Sequence, residues 1–341
     1  MLKHVLAGLA SCGLICGAAI AQPPAAPPDH SNRIILLGTR GGPAADAVRS
    51  ESASLLVIDG TPYLIDAGSG TARRLAEAGY PLSRIKTIFI THHHLDHTAG
   101  LEPIISLSWI GTGLGGRKVP PVNIYGPPAT EFLVKAALNY LSVSARIFTA
   151  GIPSLPSPEG MFIGHDMAPG LIYQDEKVKV TAVENTHFGH ASYGPDGKKD
   201  MSFSYRFDTP KGSVVFTGDT GPSEAVNQLA KGADILVSEA SLPAAGAPAT
   251  PTAAATAPAG GALASELGEH MAREHLSPEE IGKMAAAAGV KQVVLYHLVI
   301  GNSADAARRL EDGVHRYFKG PVTVGKDLLS FDLDTMKVAA K

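Results

Sequence analysis

Cysteine is nearly missing from these 341 residues: there are two, Cys12 and Cys16. Both sit inside an N-terminal apolar run, so the chain beyond it has no thiol at all. That excludes a disulfide framework, a thiolate nucleophile and a zinc–thiolate site in the folded part. Any metal there must be held by nitrogen and oxygen. Charge is also sparse, at 18% of residues, and the formal net charge is −3 with no Lys/Arg-rich run. The electrostatic footprint of a nucleic-acid or membrane-surface binder is therefore lacking, and no nucleic-acid partner is expected. The hydrophobic share of 45% is that of a globular chain, long enough for one large domain or two modest ones.

The N-terminus reads as a leader. "MLKH" is a short positive start, "VLAGLASCGLICGAAI" is apolar, and small residues at 19–21 precede Gln22. These features predict a signal peptide over 1–21, cut after Ala21. A membrane anchor is the alternative, but the run is at the short end of the ~20 residues a span requires. "LASC" also resembles a lipoprotein cleavage box, with Cys12 placed early for one. "QPPAAPPDH" then opens a Pro-rich linker over 22–32 that carries no stop-transfer charges. The expectation is a secreted or periplasmic protein without stable membrane insertion, folded over 33–341.

From Arg33 onward, short apolar or alternating runs bounded by Gly, Pro and Asp predict strands. They cover 33–37, 54–58, 63–66, 87–91, 177–183, 201–208, 213–217, 234–238 and 292–296. Helical spacing marks 70–79 and 128–141. "SPEEIGKMAAAAG" (277–289) has Ser277 at the cap, Pro278 in the first turn, Glu280 at the capping-box position and Gly289 at the stop. Residues 243–264 are low-complexity Ala/Pro/Thr and predict a mobile surface loop. "GTGLGG" (111–116) spells a dinucleotide fingerprint, but no strand precedes it and "RKVPP" follows; it reads as a flexible loop.

"THHHLDHTAG" (91–100) concentrates the chemistry. His92 and His94 follow a predicted strand and can point to one side, while Asp96 and His97 fall on the next bend. Zinc needs neutral imidazoles or carboxylates converging at ~2.0–2.2 Å. Three further candidates each follow a predicted strand: His187 in "VENTHFGH", Asp219 in "VVFTGDT" and His297 in "VVLYHL". Taken singly, each has a bland reading as a loop histidine, a turn former or a core-edge histidine. Taken together, in order and at strand ends, they make a metal site. His190 competes with His187, which is nearer the strand. His93 is expected to point away. His165, His270 and His315 read as ordinary histidines, Trp109 as a core or cleft-wall aromatic, and Arg146 as a surface charge.

With "LGTRGGP", "YLIDAGSGTARRL", "IFITHHHLDHTAGL", "VVFTGDTGPSEAVNQLAKGADILVSEA", "HLSPEEIGKMAAAAGVKQVVLYHL" and "GPVTVGKDLL", the chain resembles the metallo-β-lactamase superfamily in its tRNase Z-like branch. Within it, the chain is most similar to the secreted arylsulfatase-like group. The resemblance covers nearly all of the chain beyond the leader. It implies an α/β fold, the αββα sandwich, with two Zn2+ per chain and Mn2+ or Fe2+ as competing ions. His92, His94 and His187 would hold one ion, and Asp96, His97 and His297 the other, with Asp219 bridging. Asp96 also counts among the catalytic residues, together with Glu239 and His275, a pair that would protonate the leaving oxygen. Ser238 stands where many relatives have another histidine, and "HLS" where tRNase Z has His-Ser-Thr. Asp66 would orient a ligand histidine.

The expected function is hydrolysis of a small anionic ester by metal-bound hydroxide, with sulfate esters first and phosphodiesters next. A lactonase or β-lactamase, a tRNase Z-like ribonuclease and a non-catalytic zinc-binding scaffold are the alternatives. A homo-oligomer is compatible with the sequence.

Overall fold

Ile34 and Leu36 face one way along β1 (Arg33–Gly38), Ile35 and Leu37 the other, and all four are buried. A strand apolar on both faces needs a layer on each side. In the computed structural model, which describes residues 30–116, 120–242, 261–300 and 305–339, both layers are present.

The first sheet continues with β2 (Ala53–Ile58), β3 (Thr61–Ile65), β4 (Thr87–Phe89), β5 (Val122–Gly126) and β6 (Phe162–Asp166). The second is built from β7 (Gly170–Gln174), β8 (Lys179–Glu184), β9 (Phe203–Thr209), β10 (Gly212–Phe216), β11 (Ile235–Ser241), β12 (Gln292–Val299) and β13 (Val322–Val324). The chain then returns to the first sheet as β14 (Leu329–Asp332) and β15 (Lys337–Val338). Strand orders are β15-β14-β1-β2-β3-β4-β5-β6 and β13-β12-β11-β10-β9-β8-β7. In the first sheet β3 to β6 run parallel, and in the second β10 to β13 do.

Helices pack on the outer faces or border a cluster of histidines. They are α1 (Thr71–Glu77), α2 (Leu95–Thr98), α3 (Leu101–Leu114) and α4 (Thr130–Gly151), then α5 (Glu224–Ala230), α6 (Gly261–Glu274), α7 (Pro278–Ala288) and α8 (Ala306–His315). Of these, α2 and α6 border the histidines. Leu75, Ile105 and Val134 pack on the outward side of the first sheet, and Val226, Ile281 and Leu310 on that of the second. Between the sheets, Leu56, Phe89, Phe203, Phe207, Phe216 and Tyr296 form the central core. The architecture is the expected αββα sandwich.

Three sequence expectations change. "GTGLGG" is no loop at its start: Gly111–Leu114 is the last turn of α3, held by the burial of Ile105, Trp109 and Thr112. The helix at 128–141 runs on to Gly151 because Leu141 and Ala145 continue its buried face. Of the low-complexity segment, 243–260 lies outside the described residues, and from Gly261 the chain is helical. The expected leader, 1–21, lies outside them too. No described helix is long and apolar enough to cross a membrane.

Candidate metal centre

The parallel strands of both sheets deliver polar side chains where their carboxyl ends meet. β4 ends at Phe89, and three residues later His92 begins the histidine run; His94 caps α2, whose single turn presents Asp96 and His97. Asp219 follows β10, and His187 follows β8. Asp96, His97, Asp219 and His297 offer ligand atoms all within 4.8 Å of one another, as do His92, His94 and His187. His94 is the exposed member; the others are buried.

His297 gets there by a break in its strand. Glu239 pairs with Tyr296 and Ala240 with Leu298, so His297 is the extra residue of a bulge, with φ at 41°. A bulge re-aims one side chain without ending the ladder. The imidazole then rests against Gly41, where a Cβ would lie 2.9 Å from its Nδ1. Gly68 serves the same end at α2, since a Cβ there would fall 2.2 Å from the Asp96 carbonyl oxygen.

Asp219 touches both groups. Its carboxylate is 3.4 Å from His97 Nε2 and 3.1 Å from His297 Nε2, and 3.8 and 4.0 Å from His187 and His92 Nε2. His187 Nε2 lies 3.0 Å from His94 Nδ1, and His297 Nε2 3.1 Å from Asp96 Oδ2. Tetrahedral bonds of ~2.1 Å would separate ligand atoms by about 3.4 Å, the spacing these atoms have. His92 Nε2, His97 Nε2 and Asp219 Oδ1 are buried with no hydrogen-bond partner. Buried polar atoms without partners are costly, and a divalent cation would satisfy all three. The donor set therefore fits a metal centre of nitrogen and oxygen ligands.

The far nitrogens are anchored, which fixes ring orientation. His97 Nδ1 is 2.8 Å from Asp66 Oδ2, and Asp66 also accepts from the Thr91 N–H at 2.7 Å. His187 Nδ1 is 2.9 Å from the Glu274 carbonyl, and His92 Nδ1 is 3.1 Å from Thr91 Oγ1. The Gly42 N–H donates to Asp96 Oδ2 at 2.8 Å. Burial, aided by neighbouring imidazoles, holds His92 well below the usual histidine value, lowers His94, and takes His187 down to about 3. These rings are neutral, as ligands must be. His97 goes the other way: burial opposes its charge, but Asp219 and Asp66 outweigh it.

Beside this cluster, the Glu239 carboxylate faces His275 Nδ1 at 3.0 Å and accepts from the Leu276 and Thr220 N–H groups at 2.9 and 3.2 Å. Burial disfavours the His275 cation, yet Glu239, with Asp219 and Asp96 beyond, pushes it up to about 9. Its ring stacks over His297 at 5.9 Å and lies 5.0 Å from His187.

His190 is exposed and outside the cluster, and His93 Nε2 turns away to Thr130 Oγ1 at 3.0 Å. Trp109 is in the core, His165 stacks on Tyr125, His315 lies beside the Phe318 carbonyl, and Arg146 is exposed on α4. One ordinary reading fails. His270 sits on α6 with its ring 5.7 Å from His187, 5.5 Å from His275 and 6.5 Å from His94. Its Nδ1 is 2.8 Å from Glu274 Oε2, out of hydrogen-bond alignment. The spacing His270-x-x-x-Glu274-His275 was the available signal: one helical turn aligns His270 with Glu274, next to the dyad histidine. Phe188 was also missed; its half-buried ring covers His94, His187 and His92 at 5.3 to 5.8 Å.

Comparison with known proteins agrees with this geometry. A Beta-lactamase superfamily domain matches residues 61–298. Ribonuclease Z of Mycobacterium avium (strain 104) is 28% identical over 301 residues, 88% of this chain and 98% of that protein. Among solved structures, the metallo-beta-lactamase fold protein YhfI from Bacillus subtilis is similar with a TM-score of 0.63 and 19% identity, over 89% of this chain and 99% of that one. Human tRNase Z, short form, has a TM-score of 0.57 and 20% identity, over 88% and 99%. These two likenesses are of fold.

Proposed function

Because the chain belongs to the beta-lactamase superfamily, in its ribonuclease Z-like branch, we propose that this hydrolase acts on phosphodiester bonds. The sulfate-ester expectation gives way, since the relatives named above include ribonucleases and no sulfatase. RNA is the substrate class that their name supports first. A small anionic diester is the second reading, favoured by the net charge of −3 and the expected export. Secretion or a periplasmic location rests on the leader and stands as part of the proposal.

His92, His94 and His187 would hold one zinc ion, and Asp96, His97 and His297 a second, with Asp219 reaching both; manganese or iron are the competing ions. Bound there, the pair supplies a nucleophile from water at neutral pH and positive charge facing the reacting phosphoryl group. The chain's own residues do the rest. Asp66 and the Glu274 carbonyl hold two ligand rings in place, and the Gly42 N–H holds Asp96. Glu239 keeps His275 cationic, so its free edge has a proton for the departing oxygen.

The observation that carries this reading is the Glu239–His275 pair at 3.0 Å, set against the rings of His187 and His297. Such a donor suits the departure of an alkoxide from a phosphodiester. The test is a panel on zinc-replete protein: an RNA substrate, a bis-aryl phosphate, an aryl sulfate, a lactone and a cephalosporin. Turnover of either diester with the others idle is the expected result. Preferential hydrolysis of aryl sulfate, lactone or cephalosporin would overturn it.

A further inference from the structure

His270 is the imidazole beside the metal centre that neither the ligand set nor the dyad uses. Its ring centre lies 5.5 Å from that of His275, 5.7 Å from His187 and 6.5 Å from His94. It is therefore nearest the proton donor, and it borders the exposed ligand, His94. Its side chain is 31% exposed, against 5% for His275. Glu274, one helical turn on, is what it rests against. This carboxylate is buried, with Oε2 2.8 Å from His270 Nδ1 but no aligned hydrogen bond. Its other oxygen backs onto the loop that carries His187: a Cβ on Gly189 would lie 2.7 Å from Oε1. The Glu274 carbonyl in turn accepts from His187 Nδ1 at 2.9 Å. Glu274 ties the His270 ring to the ligand loop.

A buried carboxylate oxygen without a hydrogen bond is costly, and a small turn of the His270 ring would complete one. Nδ1 is then committed to Glu274, and among the described residues Nε2 has no partner. His275 is arranged in the same way: Glu239 takes Nδ1 and leaves Nε2 for the departing oxygen. Two imidazoles, each held by a carboxylate, therefore stand 5.5 Å apart on the leaving-group side. Hydrogen bonds of ~2.9 Å from the two rings would reach oxygens that are themselves about one hydrogen-bond length apart. The neighbouring oxygens of a 1,2-diol have that spacing.

We propose that His270 is a specificity-determining residue that binds a hydroxyl on the carbon next to the departing oxygen. The leaving alcohol is then one half of a 1,2-diol, as in ribose or glycerol. The contact does not depend on the charge of the ring, because a hydroxyl both donates and accepts. A lone pair on Nε2 accepts from it, and an N–H on Nε2 donates to it. The two histidines differ in role: His275 protonates the oxygen that leaves, and His270 reads what stands beside it. A histidine that only paired with Glu274 would have no need to lie over three imidazoles of the site. This inference rests on the phosphodiester reading of the site.

The test uses two pairs of diesters on the zinc-replete full chain. One pair is an RNA oligonucleotide cleaved at a single bond and its copy with one 2′-deoxynucleoside on the leaving side of that bond. The other is bis(2-hydroxyethyl) phosphate and dipropyl phosphate, which is similar in size but lacks the hydroxyls. The quantity read is kcat/KM with the hydroxyl divided by kcat/KM without it. A single hydrogen bond is worth about fivefold, so the wild-type ratio should exceed that of His270→Phe by about this factor in at least one pair. His270→Gln, whose amide stands near the place of Nε2, should recover most of the difference. Both variants should keep their zinc and their circular dichroism spectrum. An effect in the oligonucleotide pair alone identifies ribose, and one in the small pair alone identifies a small diol ester. Should His270→Phe not fold, His270→Ala decides by the same ratio. Equal ratios in wild type and variant for both pairs would overturn the assignment, as would loss of zinc from both variants. No turnover of any of the four diesters would instead bring down the phosphodiester reading, and this inference with it.

Discussion

His187 and His190 stand three residues apart on one loop, yet only His187 is buried among imidazoles with its far nitrogen anchored on a carbonyl. His187→Ala should therefore lose both metal and activity, while His190→Ala keeps its metal; elemental analysis of the two purified variants decides. The reverse pattern would move the ligand to His190. A second expectation concerns proton donation, typically worth ~10²–10⁴-fold. His275→Ala should cripple diesters with alkoxide-like leaving groups and barely touch nitrophenyl esters, whose oxygen departs unaided. Glu239→Gln should follow the same pattern more weakly, and both variants should retain zinc. A loss equal across leaving groups would make His275 a structural residue instead. The clustered residues were legible because their types and order are rare together. His270 was harder to read: its one-turn spacing to Glu274, next to His275, was the available signal, but what its ring faces is set by how α6 packs against distant strands.

Strand ends and caps decide whether those residues meet. The helix α7 was readable to the residue: Ser277 Oγ accepts from the Glu280 N–H, Glu280 reaches back to the Ser277 N–H at 2.8 Å, and Gly289 closes the helix at φ 67°. This cap lies two residues after His275, and the intervening Leu276 N–H holds Glu239 at 2.9 Å. Ser277→Ala should cost about 1 kcal/mol of stability. If the cap also positions the dyad, turnover of poor leaving groups should fall more than that of nitrophenyl esters. A lowered melting temperature with both rates unchanged would confine Ser277 to stability. Other elements were not readable in advance. Glycines in "GTGLGG" argue against helix locally, and only Ile105 and Trp109 packing into the core outweighs them. The bulge at His297 leaves no local trace in "VVLYHL", because it arises from register against β11.

At the scale of the whole molecule, the candidate metal centre lies where the two sheets meet, with His92, Asp96 and His97 from the first and His187, Asp219 and His297 from the second. The layers were foreseeable from the family resemblance, and β1, apolar on both faces, agrees with them. The joint between them depends on groups whose partners are distant in sequence. Without metal, His92 Nε2, His97 Nε2 and Asp219 Oδ1 stay buried without a hydrogen-bond partner, so ligand binding should add directly to folding stability. The gain is about 4 kcal/mol when free zinc exceeds its dissociation constant a thousandfold. The pH dependence has a definite sign. His92, His94 and His187 are depressed on folding, His187 to about 3, so the unfolded chain binds more protons below 6.5 and stability falls as acid is added down to that value. His97 is raised, so its contribution to the metal-free fold is present below 6.5 and fades as pH climbs through its folded value. Protons and metal compete for the same nitrogens. Chelation at pH 7.5 should thus lower the melting temperature by several degrees, and the gap between loaded and stripped protein should narrow at pH 5 as zinc leaves. Identical melting curves with and without chelator at pH 7.5, on protein shown to have held zinc, would mean that the sheets are joined by their apolar core alone.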